Sequence, residues 1–300
     1  MEIPCKIEVQ LLIDDTLTQK DITLSVARLD KLHTIVSGNK LFKLHYFLQE
    51  AKAKKITKII TFGGPYSNHL VATAFACKEL GINCTGIVRG EKSKLLSHTL
   101  QSCLNYGMNL EFTDRKAFEI QKVNALNNPL INDITLEMII PEGGYHPLGA
   151  KGSSEIMKSI NNDSYTHICT AIGTATTLAG IIESAKPNQK IIGINVLKGM
   201  TDIPERLNFL IKSQHHDNLH IVDGYHFGGY AKKEDTLISF MNDLYKNNKL
   251  ETDFVYTGKV MFGIIAMTKK GYFPTGSKIL CLHTGGLQGN LSLLPNTLVY

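Results

Sequence analysis

Along most of this 300-residue chain, short apolar runs that read as strands alternate with longer stretches of helical periodicity. That alternation restricts the fold more than any other feature. A helix between two strands carries the chain back across a sheet, so such strands pair in parallel. Leu41, Leu44, Leu48 and Ala51 recur at helical spacing, and residues 56–62 read as a strand running into Gly63 and Gly64. A helix is expected over 67–80 with Gly81 as its stop, then a strand over 82–88 and a helix over 95–104. After Pro141-Glu142-Gly143-Gly144 the pattern resumes, with a strand over 167–171, a helix over 177–184, a strand over 191–196 and a late strand over 279–283. The sequence therefore predicts an α/β protein with largely parallel sheets. No repeat, low-complexity tract or linker interrupts it, and the Gly/Pro-rich stretch 141–150 is the best candidate for a boundary.

Composition narrows the partners. The net charge of +5 is spread along the chain, and its densest basic cluster, Lys52 to Lys58, falls at a helix-to-strand junction. That is the pattern of a solvated surface, so nucleic acid is not indicated. No apolar run approaches the roughly 18 residues that span a bilayer, so no membrane partner is expected. The six cysteines are scattered without CxxC or zinc-type spacing, so no metal is expected and a reducing cytoplasm is the natural compartment.

Four segments place polar residues or glycine at the end of a strand or start of a helix, where open α/β sheets bind ligands. In Ser37-Gly38-Asn39-Lys40-Leu41-Phe42-Lys43, two lysines three apart share a helix face. There they can serve a phosphate, or a desolvated amine can form a Schiff base; the alternative is a surface pair beside a turn. In Gly63-Gly64-Pro65-Tyr66-Ser67-Asn68-His69 the glycines admit a ligand close to the backbone, while Ser67 or Asn68 would cap the helix in any case. His69 alone reads as readily as a packed side chain. Thr170 to Thr177, with Gly173, Thr174, Ala175 and Thr176, is either a phosphate nest or an ordinary capped turn; it is neither a Walker loop nor a dinucleotide fingerprint. Val255-Tyr256-Thr257-Gly258-Lys259 and His283-Thr284-Gly285-Gly286 each end an apolar run in hydroxyls and glycine.

In this order, from about Arg28 to Gly286, the segments resemble the family of 1-aminocyclopropane-1-carboxylate (ACC) deaminase and D-cysteine desulfhydrase. These are pyridoxal-phosphate enzymes of fold type II, like the tryptophan synthase β-subunit. The resemblance implies two three-layer αβα domains with the cofactor between them: a large one from 1–51 and 150–300, and a small one from 52–149. It implies that Lys40 carries pyridoxal phosphate, that Lys43 assists its phosphate, and that Gly173, Thr174, Ala175, Thr176 and Thr177 cradle that phosphate. Asn68 would meet the cofactor's phenolic oxygen. Ser67 would face the substrate carboxylate, with Tyr66, His69 and Thr284 also beside the substrate, and Tyr230 and Tyr256 would be the active-site tyrosines. Phe42, Tyr66, Phe254 and Thr176 depart from the family pattern, which has arginine, glutamine, proline and glycine there; Tyr66 touches on specificity.

Two positions bear on the reaction. Ring-opening deaminases of this family have glutamate after Val-Tyr and leucine within the late His-x-Gly-Gly; here those positions are Thr257 and Thr284. A neutral hydroxyl beside the ring nitrogen stabilises a pyridinium less than an anion does, which suits loss of a good leaving group better than carbon–carbon cleavage. The resemblance thus implies α,β-elimination from a small amino acid, D-cysteine first, in a homodimer. The alternatives are ACC deamination, deamination or racemisation of another small amino acid, and cofactor binding without turnover.

Overall fold

The computed structural model describes residues 2–128, 130–212 and 217–300. The chain opens with β1 (Val9–Leu11), α1 (Asp15–Gln19), β2 (Thr23–Ala27) and α2 (Asn39–Ala53). It continues through β3 (Lys58–Gly63), α3 (Asn68–Leu80), β4 (Asn83–Arg89), α4 (His98–Asn105), β5 (Met108–Thr113), α5 (Arg115–Asn127), β6 (Ile131–Asn132) and β7 (Glu137–Ile140). Then come α6 (Pro147–Lys158), β8 (His167–Ile172), α7 (Thr176–Ser184), β9 (Lys190–Asn195), α8 (Ile203–Leu210) and β10 (Leu219–Val222). The last elements are α9 (Asp235–Asn248), α10 (Thr257–Lys269) and β11 (Lys278–Leu282).

Among the described residues the strands form two sheets, one ordered β1-β2-β11-β8-β9-β10 and the other β5-β4-β3-β7-β6. Only the β1–β2 and β6–β7 pairs are antiparallel; the others run parallel, as the alternation of elements predicts. Strand β8 is buried at every position, as a central parallel strand covered on both faces must be. No helix among the described residues is long and apolar enough to cross a membrane.

Boundaries moved where local chemistry overrode periodicity. Strand β3 begins at Lys58 rather than 56, because Lys55 takes a left-handed conformation and Ile56 N–H still bonds back to Ala51 O at 2.9 Å. Helix α4 begins at His98 rather than 95: Ser97 caps it, its Oγ accepting Leu100 N–H at 3.1 Å, while Leu95 projects into solvent. Helix α3 matches its expected signals, with Ser67 as N-cap and Gly81 in the left-handed conformation as C-cap.

Helices α2, α6 and α7 pack backbone to backbone. A methyl group on Gly152 of α6 would lie 2.0 Å from Phe42 O on α2, and one on Gly180 of α7 would lie 2.5 Å from Ser153 Cβ on α6. This approach holds the start of α2 and the start of α7 in fixed relation, and both carry site residues. Because backbone cannot yield as a flexible side chain can, Gly152→Ala should destabilise the protein by about 1–3 kcal/mol, read as a lower denaturation midpoint at unchanged slope.

Candidate functional site

The four segments converge on one cleft of about 690 Å³, a size ordinary for a cofactor site. Much of its lining follows the carboxyl ends of parallel strands, with Gly173 after β8, Ser67 after β3, Arg89 at the end of β4 and Thr284 after β11, while Lys40 and Tyr256 come from the starts of α2 and α10.

Helix α2 reaches the cleft through Gly38, whose φ of 70° lets its backbone approach the loop after β11. A methyl group there would lie 2.0 Å from Thr284 O, and Asn39 N–H donates to that carbonyl at 3.2 Å. Asn39 then orders the start of the helix, its Nδ2 donating to Thr177 Oγ1 at 2.8 Å and its Oδ1 accepting from Lys40 Nζ at 2.7 Å. Burial lowers the Lys40 pKa to about 8, with the Asp253 carboxylate opposing the shift. Lys43 is buried one turn on and held well below the usual lysine value, by burial and then by the Lys40 charge. Among the described residues no carboxylate pairs with Lys43. Two neighbouring desolvated amines without an anion are unfavourable as cations, so the pair is arranged for an anionic, amine-reactive ligand.

The other side of the cleft fits such a ligand. Ala175, at φ 65°, ends the turn before α7, and no side chain caps the first amides of that helix. Uncapped amides at a helix start favour phosphate. Gly173, Thr174, Ala175 and Thr177 line the cleft. Thr176 does not: it is fully buried and shares a hydrogen bond with Thr174 Oγ1 at 2.9 Å. Its side-chain methyl lies 3.1 Å from where a methyl on Gly149 would sit, which places it against α6.

On the loop after β3, Tyr66, Ser67, Asn68 and His69 all line the cleft. The amide oxygen of Asn68 is buried without a protein partner, leaving the side chain for a ligand. Ser67 Oγ also accepts Leu70 N–H at 3.4 Å, so it serves the helix as well as facing the cleft. Thr61 Oγ1 donates its only proton to Ile140 O at 2.8 Å and therefore accepts from His69 Nε2 at 2.9 Å. Burial, with the charges of Lys40 and Lys43, lowers the His69 pKa to about 3, which keeps the ring neutral. A phosphate ester bearing an aldehyde, as in pyridoxal phosphate, fits this set: amines at Lys40 and Lys43, a free amide at Asn68, and open amides at α7.

The tyrosines come from two places. Tyr256 precedes α10, with its ring edge 3.3 Å from where a methyl on Gly173 would sit, and Tyr230 stands edge-on to it with ring centroids 6.3 Å apart. Thr284 lines the cleft; Thr257 does not, and the expectation that its hydroxyl faces a ring nitrogen meets a different arrangement. Thr257 Oγ1 donates to Asp253 Oδ2 at 2.7 Å and accepts Asp253 N–H at 2.7 Å, which turns it into the wall behind the cleft. Asp253 also accepts the backbone N–H groups of Val255, Tyr256 and Thr257, so its side chain orders the turn that leads into α10.

Sequence reading missed Asp253 and Lys259. An aspartate that can bond backbone N–H groups two residues on is a turn signal that was there to use. Lys259 carries no such signal: it is fully buried, and its Nζ donates to His226 O at 2.8 Å and Gly229 O at 2.7 Å, bracing the loop that holds Tyr230. Burial lowers its pKa to about 8 as well, opposed by Asp253.

Two substitutions probe these placements. Lys43→Met should weaken phosphate-ester retention by about 1.5–3 kcal/mol, on the order of 10- to 100-fold, read by equilibrium dialysis of the cofactor. Lys259→Met leaves two loop carbonyls without a donor and should free Tyr230, read as weaker near-ultraviolet tyrosine dichroism; Lys259→Arg should restore part of it.

Comparison with known proteins agrees with this geometry. A protein of Pyrococcus horikoshii named provisionally as an ACC deaminase is 29% identical over 269 residues, covering 85% of this chain and 81% of that protein. The D-cysteine desulfhydrase of Salmonella choleraesuis is 27% identical over 296 residues, covering 90% and 89%. The crystal structure of an ACC deaminase homologue superposes with a TM-score of 0.81 at 25% identity, over 96% of this chain and 91% of that one. Residues 19–285 match the family model described as pyridoxal-phosphate dependent enzyme. The chain belongs to that family of pyridoxal-phosphate-dependent enzymes, with the fold type II architecture.

Proposed function

We propose that this enzyme, a lyase of the ACC deaminase and D-cysteine desulfhydrase type, removes the β-substituent of a small amino acid and acts on D-cysteine, giving pyruvate, ammonia and sulfide. The observation that carries the reading is the Lys40–Lys43 pair, desolvated and in no ion pair among the described residues, near the uncapped start of α7. When bound, pyridoxal phosphate supplies an electron sink for charge developing at the substrate α-carbon. Lys40 would hold the cofactor, and its free amine would take the proton at the substrate α-carbon. Lys43, Gly173, Thr174, Ala175 and Thr177 hold the phosphate, with Thr176 setting the shape of that turn. Asn68 orients the cofactor, and Ser67 with the start of α3 receives the substrate carboxylate. Neutral His69 donates no charge there; it fixes the loop. Tyr256 and Tyr230, kept protonated by burial first, exchange a proton with the leaving group.

The choice of elimination over ring opening rests on the missing anion. No glutamate follows Tyr256, and the carboxylate at that turn, Asp253, is engaged by three backbone amides and the Thr257 hydroxyl. The substrate domain movement belongs to the same proposal: residues 52–149 close as a small domain over 1–51 and 150–300, excluding water, in a cytoplasmic homodimer.

Three outcomes are expected. Borohydride reduction of the yellow holoenzyme fixes the label on Lys40, and a label on another lysine in peptide mapping sinks the assignment. D-Cysteine yields pyruvate while ACC yields little keto acid; the reverse order refutes elimination. With a Lys40 pKa of about 8, the neutral amine grows as pH rises, so capture of added cofactor by the apoenzyme should quicken about fivefold from pH 7 to pH 8.

A further inference from the structure

The outer part of the cleft holds a cation that this chemistry does not use. Of the other basic residues lining it, Lys122 pairs with Glu142 at 3.4 Å and Arg206 with Asp202 at 2.8 Å, while Lys198 and Lys233 have no ion pair among the described residues but are exposed to solvent. Arg89 is half-buried at the end of β4, and its guanidinium has no hydrogen bond or ion pair among the described residues. Its guanidinium stands over the Phe118 ring, 5.7 Å from the centroid, and its Nη2 reaches 3.4 Å from where a methyl on Gly64 would sit. Gly64 lies on the loop that carries Ser67, and the opposite side is Tyr230. At the Tyr230 phenol, burial and the Glu142 carboxylate raise the pKa while Arg89 opposes them, so the Arg89 charge is felt on the substrate side of the cleft.

A guanidinium resting against an aromatic ring is partly fixed in place, and its paired N–H groups match a planar carboxylate. Leaving it partly desolvated and unpaired is unfavourable, and a ligand anion relieves that. Among the described residues no carboxylate pairs with Arg89; Glu142 lies 3.4 Å from Lys122, which also pairs with Glu119 at 2.6 Å. The substrate α-carboxylate is met by the Ser67 loop in the reading above, on which this inference rests.

We propose that Arg89 is a specificity-determining residue that binds a second carboxylate, carried on the leaving-group side of the substrate. The preferred substrates are then cysteine thioethers whose sulfur substituent ends in a carboxylate, with S-carboxymethylcysteine as the probe. The Cα–H and Cβ–S bonds break, the C–S electron pair leaves with sulfur, and the proton from Cα goes to the Lys40 amine. With one water the net products are pyruvate, ammonia and mercaptoacetate.

The test uses the holoenzyme with both enantiomers of S-carboxymethylcysteine and of its neutral isostere S-carbamoylmethylcysteine. Dissociation constants come from the change in visible absorption on binding, and turnover from keto acid. The carboxylate ligand should bind about tenfold tighter than the amide, and Arg89→Met should bring that ratio to about one, with Arg89→Lys between. A wild-type ratio near one, or a ratio unchanged in Arg89→Met, overturns the inference. If D-cysteine is turned over while the ratio is one, only the role of Arg89 fails; if no ligand of the panel releases keto acid while the ratio holds, only the lyase reading fails. The wild-type ratio and its decline with added salt decide the matter even if the variant does not fold.

Discussion

Two amines one helical turn apart, both withdrawn from water, set the terms for the rest of this molecule. Lys40 and Lys43 lose hydration on entering the cleft, and no protein carboxylate beside Lys43 restores it. Desolvation alone would make such a pair a liability of several kcal/mol in charged form. The fold tolerates it because the uncapped start of α7 and the free Asn68 amide face the same space, forming a site whose charge is completed by an anionic cofactor. The lowered pKa of Lys40 follows from the same burial and gives an amine that is nucleophilic near neutral pH.

That arrangement depends on close helix packing. Gly152 and Gly180 let α2, α6 and α7 meet at backbone distance, so the lysine-bearing helix and the phosphate-facing helix cannot slide independently. Gly38 stitches the start of α2 to the loop after β11. On the far wall a single helix, α10, does two jobs. Asp253 just ahead of it fixes the turn bearing Tyr256, while Lys259 in its first turn holds the loop bearing Tyr230. Both tyrosines are thereby referred to one rigid element, which is the condition for proton transfer at a defined place.

Substrate choice lies at the mouth of the cleft. Tyr66 packs toward His98 with ring centroids 5.9 Å apart, and Arg89 lies beside the same loop. Neither touches the cofactor-facing amines, so this half of the site is free to vary in what it accepts without disturbing the half that holds the cofactor.

Much of the design was legible in the sequence, and the reason is local. Helical and strand periods, glycines at turns and hydroxyls at helix starts are properties of neighbouring residues, so the alternating elements and the parallel sheets could be read directly, and Lys40, Lys43, Ser67, Asn68, Gly173, Thr174, Ala175 and Thr177, singled out in part through family resemblance, all line one cleft. Thr176 and Thr257 show the limit: their hydroxyls were expected to face a ligand, but partners at Thr174 and Asp253 turn them into the wall. Lys259 and Arg89 were silent for a related reason. A lysine becomes a buried brace, and an arginine an unpaired cation, only through chain segments about 25 or more residues distant in sequence, such as the 226–229 loop and the glycine loop after β3. Local sequence determined the elements and the chemical types offered at their ends; which of those groups face one another, and which lose their water, was decided by the pairing of strands and the packing of helices, because desolvation and hydrogen-bond partners are properties of neighbours in space.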